Sequence, residues 1–278
     1  MRYVGGHVSI AGSVANSIGN TLKIGGNCLQ IFAGSPRLWF RKPFPESEVK
    51  TFLSGIKENS FGPVFIHALY LVNLATQNQE MFEKSINSLV MDLQNGARIS
   101  SSGVIIHIGS HLGTGFDSVK EQVAAAIERI LGLTENCDLI LENAAGQNGK
   151  IGSLEELSFL IKRINNPRVK VCLDTAHLFA GGVDLRSEEK IDKLLKDLKS
   201  LDLLDKLACL HLNDCASDLD SHRDIHANIG EGKIGLEGLK SFVNRKELLH
   251  LPLILEVPGE NKEGPNLANI TLVKGLTI

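Results

Sequence analysis

Six short apolar runs in this chain each end on a side chain able to hold a metal ion: VFIH on His67, VIIH on His107, LILE on Glu142, VCLD on Asp174, ACLH on His211 and LILE on Glu256. Short apolar runs of this kind read as buried strands, and parallel strands that feed outer helices open their carboxyl ends into one shared mouth where ligands bind. Six donors would converge there. Two further clusters enlarge the set. In DTAH, Asp174 and His177 stand three apart where the sixth strand leaves the sheet, so they can face two neighbouring ions. In DIH, Asp224 and His226 alternate across one residue, so in an extended segment both point the same way and can grip one ion. Histidine and carboxylate without cysteine is the donor set of a catalytic zinc or a related divalent ion, not of a closed structural site.

The nine donors exceed what one tetrahedral ion accepts, and bridging carboxylates spread them over two or three ions. Charge argues the same way. Glu142, Asp174, Asp224 and Glu256 place −4 in one mouth, a repulsion that cations relieve; three divalent ions add +6 and leave +2, a positive pocket for phosphate in an acidic protein. Zinc also lowers the pKa of bound water to about 7, which suits hydrolysis at neutral pH. Glu142 and Glu256 read as the catalytic carboxylates, fixing and orienting and not attacking. His7 and His250 read as ordinary hydrogen-bonded residues, and His111 and His222 either as supports behind the ligands or as polar loop residues.

Something must position these groups. Strands are expected at about 3 to 9, 28 to 33, 63 to 68, 103 to 108, 138 to 143, 169 to 174, 207 to 213 and 251 to 257. Between them apolar residues recur at helical spacing, as in Phe82, Ile86, Leu89, Val90 and Leu93, or Val119, Val123, Ile127, Ile130 and Leu131. Eight alternations without a Pro, Gly or Ser-rich linker predict a single (β/α)₈ TIM-barrel domain over 1–278, α/β in class, with the metal site at the C-terminal ends of the strands. An open doubly wound sheet is the alternative, but it would gather ligands at one switch point and not at strand after strand. The long loops, 34 to 45 and 215 to 235, are of a length that usually carries function.

Composition limits the partners. At 43% hydrophobic and 22% charged residues the chain reads as a soluble enzyme, and no apolar stretch approaches the length of a membrane span. The start, MRYVGGHVSI, lacks a basic region followed by a long apolar segment, so a cytoplasmic location is expected. Cys28, Cys137, Cys172, Cys209 and Cys215 show no CxxC spacing and lie in or beside apolar runs, as buried free thiols do. A net charge of −3 gives no global footprint for nucleic acid, so any DNA contact must use local positive charge.

The same residues lie in motifs that run nearly end to end: GGHVSIAGSVANSI, FAGSPRLW, HALYLVNLA, IHIGSH, LENAAGQ, VCLDTAHLFAGGVDL, HLNDC, HRDIHANIGEGKIG and LILEVPG followed by GP. In that order they resemble endonuclease IV, the zinc-dependent apurinic/apyrimidinic (AP) endonuclease family 2. The resemblance implies a (β/α)₈ barrel with three zinc ions per chain, or manganese at one site. It assigns His67 and His107 to one ion, bridged by Glu142 to a second held by Asp174, His211 and Glu256, with His177, Asp224 and His226 on the third. It also implies that Arg37, Tyr70 and Leu71 enter damaged double-stranded DNA, where an apolar wedge fills the gap left by a missing base. Trp39 fits either that role or packing beneath the loop. The family's DTCH reads DTAH here, so Ala176 replaces a thiol that is not a ligand.

The implied activity is base excision repair: hydrolysis of the phosphodiester 5′ to an abasic site by a deoxyribonuclease IV-type enzyme, leaving a 3′-hydroxyl and a 5′-deoxyribose phosphate. The implied state is a monomer without an obligate protein partner. Two other readings compete. A xylose-isomerase-like sugar isomerase or epimerase would need only Glu142, Asp174, His211 and Glu256 around one divalent ion. A non-catalytic barrel that binds damaged DNA would have no use for nine donors.

Overall fold

The computed structural model describes residues 2–277. Eight strands close a parallel barrel in the order β1 (Val4–His7), β2 (Leu29–Phe32), β3 (Val64–His67), β4 (Gly103–Ile106), β5 (Asp138–Glu142), β6 (Val169–Asp174), β7 (Leu207–His211) and β10 (Leu253–Leu255), with β10 pairing back onto β1. The open sheet is thereby excluded. All eight expected strands are present, though His107 and Glu256 each fall one residue beyond their strand, and the seventh strand stops at His211.

The helices follow from stripes and caps. In α3 (Gln79–Arg98), Ile86, Leu89 and Leu93 are fully buried while Phe82 and Val90 pack at the edge. Asn78 caps its start by accepting from the Met81 amide, which pairs one of the N–H groups that a first turn leaves without a partner. In α4 (Lys120–Gly132) the expected stripe of Val123, Ile127, Ile130 and Leu131 is buried, and α5 (Leu154–Ile164) opens on a capping box between Ser153 and Glu156.

Within each strand the faces alternate. Residues such as Ile66, Ile106, Leu141, Leu173, Leu210 and Leu255 join the large core between strands and helices. Cys28, Phe65, Ile105, Ile140, Cys172, Cys209 and Ile254 form a separate cluster inside the barrel. The next inward position, two residues on, is Gln30, His67, His107, Glu142, Asp174, His211 and Glu256 in turn. The inner cluster is thus a floor, and the polar residues stand on it.

Two short elements were not expected from the sequence. A helix α6 (Thr175–Ala180) begins at once after β6, and a two-stranded ribbon joins β8 (Asp214–Cys215) to β9 (His226–Ala227) within the second long loop.

Candidate metal centre

Three groups of donors come together at the C-terminal mouth of the barrel: His67, His107 and Glu142; Glu142, Asp174, His211 and Glu256; and Asp174, His177 and His226, the candidate ligand atoms of each group lying within 4.8 Å of one another. Glu142 and Asp174 each belong to two groups. Asp224, expected with His177 and His226, reaches both, with Oδ2 3.1 Å from His177 Nε2 and Oδ1 3.3 Å from His226 Nε2. All nine expected donors therefore share one site.

Local structure explains their placement. Asp174 ends β6 and also caps α6, its Oδ1 accepting from the His177 amide at 2.9 Å, so one residue fixes the turn that carries the other. Asp224 and His226 enter along the ribbon, in which Cys215 pairs with His226. From the ribbon itself, the buried Asp214 carboxylate accepts from the amides of Cys215, Gly230, Gly232, Ile234 and Gly235, anchoring the loop.

The chemistry of the site fits divalent ions. His67 donates Nδ1–H to the Ala68 carbonyl at 2.8 Å, His177 donates Nδ1–H to Asn143 O at 3.0 Å, and His226 donates Nδ1–H to Glu256 O at 3.3 Å. Each ring then turns its other nitrogen toward carboxylates, the arrangement found behind metal-bound histidines. His107 Nδ1, His177 Nε2 and His226 Nε2 are buried with no hydrogen-bond partner. Burial, helped by the charges of His67 and His177, pushes His107 down to about 3, which leaves it neutral with a free lone pair. Burial would raise the Glu142 carboxyl, but His107 and His211 overcome it and hold that group well below the usual carboxylate range.

A cavity of about 910 Å³ opens above the centre, lined by His67, His107, Asp224 and Glu256 from below and by Pro36 and Tyr70 from the side. Tyr70 is 62% exposed, and Leu71 and Arg37 are exposed beside it. The Tyr70 amide donates to Pro36 O at 3.2 Å, tying its loop to the 34–45 loop. Trp39 packs against the core, while its neighbour Phe40 is 77% exposed.

A family model described as a xylose isomerase-like TIM barrel matches residues 18–272. A protein named probable endonuclease 4 from Halothermothrix orenii is 40% identical over 258 residues, covering 92% of this chain and 93% of that protein. This chain belongs to the endonuclease IV family. A probable endonuclease 4 from Haloarcula marismortui is 36% identical over 277 residues, 99% of each chain. Endonuclease IV from Thermus thermophilus matches at a TM-score of 0.87 and 34% identity, over 99% of this chain and 98% of that one. A 3-keto-D-glucoside 4-epimerase from E. coli shares the fold at a TM-score of 0.68 and 15% identity.

In this endonuclease IV-family chain His7 is hydrogen-bonded as expected, to Gln30 Nε2 at 3.0 Å, and joins no donor group among the described residues, but it stands at the site: its Nδ1 lies 3.6 Å from Glu256 Oε1, and its ring lines the mouth. His250 is exposed in a turn, His111 accepts through Nδ1 from the amides of Gly113 and Gly115, and His222 donates from Nδ1 to the Ala145 carbonyl at 2.6 Å. None of these three joins a donor group among the described residues. Sequence reasoning also missed three amides. Gln30 bonds Glu256 and His211, Asn213 donates to Asp174 Oδ2 at 2.7 Å, and Asn143 accepts from the Asp174 amide at 2.6 Å. Their signal was a polar amide within or just after an apolar run, overlooked because amides are not metal ligands.

Proposed function

We propose that this chain hydrolyses the phosphodiester 5′ to an abasic site in double-stranded DNA, using three zinc ions held by His67, His107, Glu142, Asp174, His177, His211, Asp224, His226 and Glu256. The observation that carries the reading is the trio of donor groups sharing Glu142 and Asp174 in a member of the endonuclease IV family. Histidine and carboxylate donors favour zinc, with manganese the alternative at one site. Ions bound there supply Lewis acidity, acidifying water and drawing charge from the phosphodiester and its departing oxygen.

The protein's own residues do the rest. Glu142 and Asp174 span adjacent groups and set their spacing, while Glu256 closes the second group beneath the cavity. Exposed Tyr70 and Leu71 fill the space of the missing base, and Arg37 answers the DNA backbone's charge. All nine donors come from one barrel, so a monomer suffices. Among the described residues no helix is long and apolar enough to cross a membrane, and five buried unpaired thiols support a cytoplasmic setting.

The test is a duplex carrying a single stable abasic analogue, incubated with and without a chelator. One cut 5′ to the lesion, lost on chelation, is the expected result. Elemental analysis of the protein should find about three ions per chain; about one would point instead to single-ion sugar chemistry on Glu142, Asp174, His211 and Glu256.

A further inference from the structure

Gln30 occupies the inward position of β2 at the level where other strands carry metal donors, and it is fully buried. Its side chain meets three groups. Nε2 lies 2.6 Å from Glu256 Oε1 and 3.0 Å from His7 Nδ1, and Oε1 lies 2.8 Å from His211 Nε2.

These contacts permit only one pattern of protons. An ionised carboxylate only accepts, so the end of the amide facing Glu256 must be NH₂. The amide oxygen then faces His211, and His211 Nε2 must carry the proton that it accepts. The second amide hydrogen points at His7, whose Nδ1 must therefore be the lone pair and whose Nε2 must be N–H. That Nε2 is buried, has no partner and belongs to a ring lining the mouth.

We propose that Gln30 is a positioning residue of the metal centre: its one amide orients Glu256, keeps the proton of His211 on Nε2 so that Nδ1 faces the ions, and keeps the proton of His7 on Nε2, where it is offered to an oxygen atom in the mouth. His211 Nδ1 is aimed accordingly, 2.9 Å from Glu142 Oε1 and 3.4 Å from Glu256 Oε2. Amide groups behind a metal-bound imidazole commonly contribute about 10- to 100-fold in metal affinity.

The inference rests on the metal reading of the same site, and two measurements separate their failures. In zinc-loaded wild-type protein, two-bond ¹H–¹⁵N spectra of the histidine rings should show both His7 and His211 protonated on Nε2. Either ring protonated on Nδ1 instead overturns the proposal, without any variant that has to fold. Gln30→Met keeps the length and removes both polar ends. Chelator competition should then show at least one ion bound about 10- to 100-fold more weakly, with unchanged circular dichroism, and His7 should lose its single tautomer. Wild-type affinity in Gln30→Met overturns the role of Gln30 alone, whereas a wild-type protein that takes up no ions overturns the metal reading.

Discussion

At the scale of single residues, Glu142 is the hub. It is fully buried, with His67, His107, His177 and His211 nitrogens at 3.2, 3.3, 3.4 and 2.9 Å. In the metal-free protein imidazolium charge balances the carboxylates. Burial opposes a charged His226, yet Asp174 and the nearby Asp224 carboxylate lift it to about 9, and His177 and His211 rise well above their ordinary range among the carboxylates of the same mouth. A histidine whose folded pKa is raised stabilises the fold fully below its unfolded value, near 6.5, and that stability is lost as pH rises through the folded value. Metal ions must displace the same protons, so their binding tightens over the same interval. The melting temperature of chelated protein should accordingly fall between pH 6.5 and 9, while its gap from the loaded protein widens. Scanning calorimetry checks this, and a constant gap would count against protonated histidines at the centre. Glu256→Gln tests the other side of the same balance. It keeps shape but removes charge from one donor group, so the variant should fold, hold fewer ions and cut abasic duplex slower by roughly 10²-fold or more, as when one electrostatic group is lost from a preorganised site. Undiminished cleavage would remove Glu256 from the catalytic set.

At the scale of elements, one stripe of α3 clamps the loop that bears Arg37. Asp92, Asn95 and Arg98 are spaced three apart and so share a helix face. Asp92 holds Arg41 Nε at 3.1 Å, Asn95 bonds the Phe44 amide and the Lys42 carbonyl, and Arg98 bonds the Phe44 carbonyl. Arg41 in turn donates through Nη1 to the carbonyls of Ser35, Leu38 and Phe40, bracing the turn from inside. Burial pushes the Asp92 carboxyl up to about 7 even against this guanidinium. Replacing Arg41 with Met leaves that buried group without its partner, which commonly costs about 3–5 kcal/mol, less whatever Asp92 recovers by taking up a proton. Affinity for abasic duplex should fall, and the 34–45 loop should become a preferred protease site, with the number of bound ions unchanged. Binding unaffected by Arg41→Met would show that the loop keeps its form without the clamp. The loop's length marked it as functional in the sequence, but its clamp was invisible there: Arg41 and Asp92 are 51 residues apart, and no local pattern pairs them. The helix α6 escaped notice for a different reason. Six residues are too few to display a helical period, and its start is set by Asp174, a residue already accounted for as a ligand.

At the scale of the whole molecule, the barrel was legible because inward residues repeat at period two and six strands mark their ends with a donor. Gln30 and His7 stand at the same level on the remaining two strands and stayed hidden, since an amide and an early histidine carry meaning only once β1 and β2 are known to be neighbours, with His7 beside Gln30. That pairing lies beside the seam where β10 closes the barrel onto β1. There β1 matches Val4 to Leu253, Gly5 to Ile254 and Gly6 to Leu255 on one side, and Gly6 to Leu29 on the other. Arg2 fastens the same seam through the carbonyls of Val243, Leu248 and Leu251. On β1 the tightest glycine is Gly5. A Cβ there would lie 1.8 Å from the Cys28 carbonyl oxygen and 2.6 Å from its carbon, and backbone held in a closed ring cannot step aside. Gly5→Ala must push β1 from β2, separating His7 and Gln30 from Glu256 and His211. The variant should lose roughly 3 kcal/mol or more, a magnitude reserved for clashes and lost cores, and should also bind metal more weakly. Gly19→Ala is the matched control. It lies in α1 (Asn16–Lys23) with nothing within 4 Å of the new methyl, so relief of glycine's entropy in a helix should stabilise by about 0.5–1 kcal/mol. Denaturant titrations of the two variants, with metal content measured in parallel, should therefore move in opposite directions for stability and show a metal defect only at Gly5. Equal metal affinity in a destabilised Gly5→Ala protein would uncouple the seam from the site.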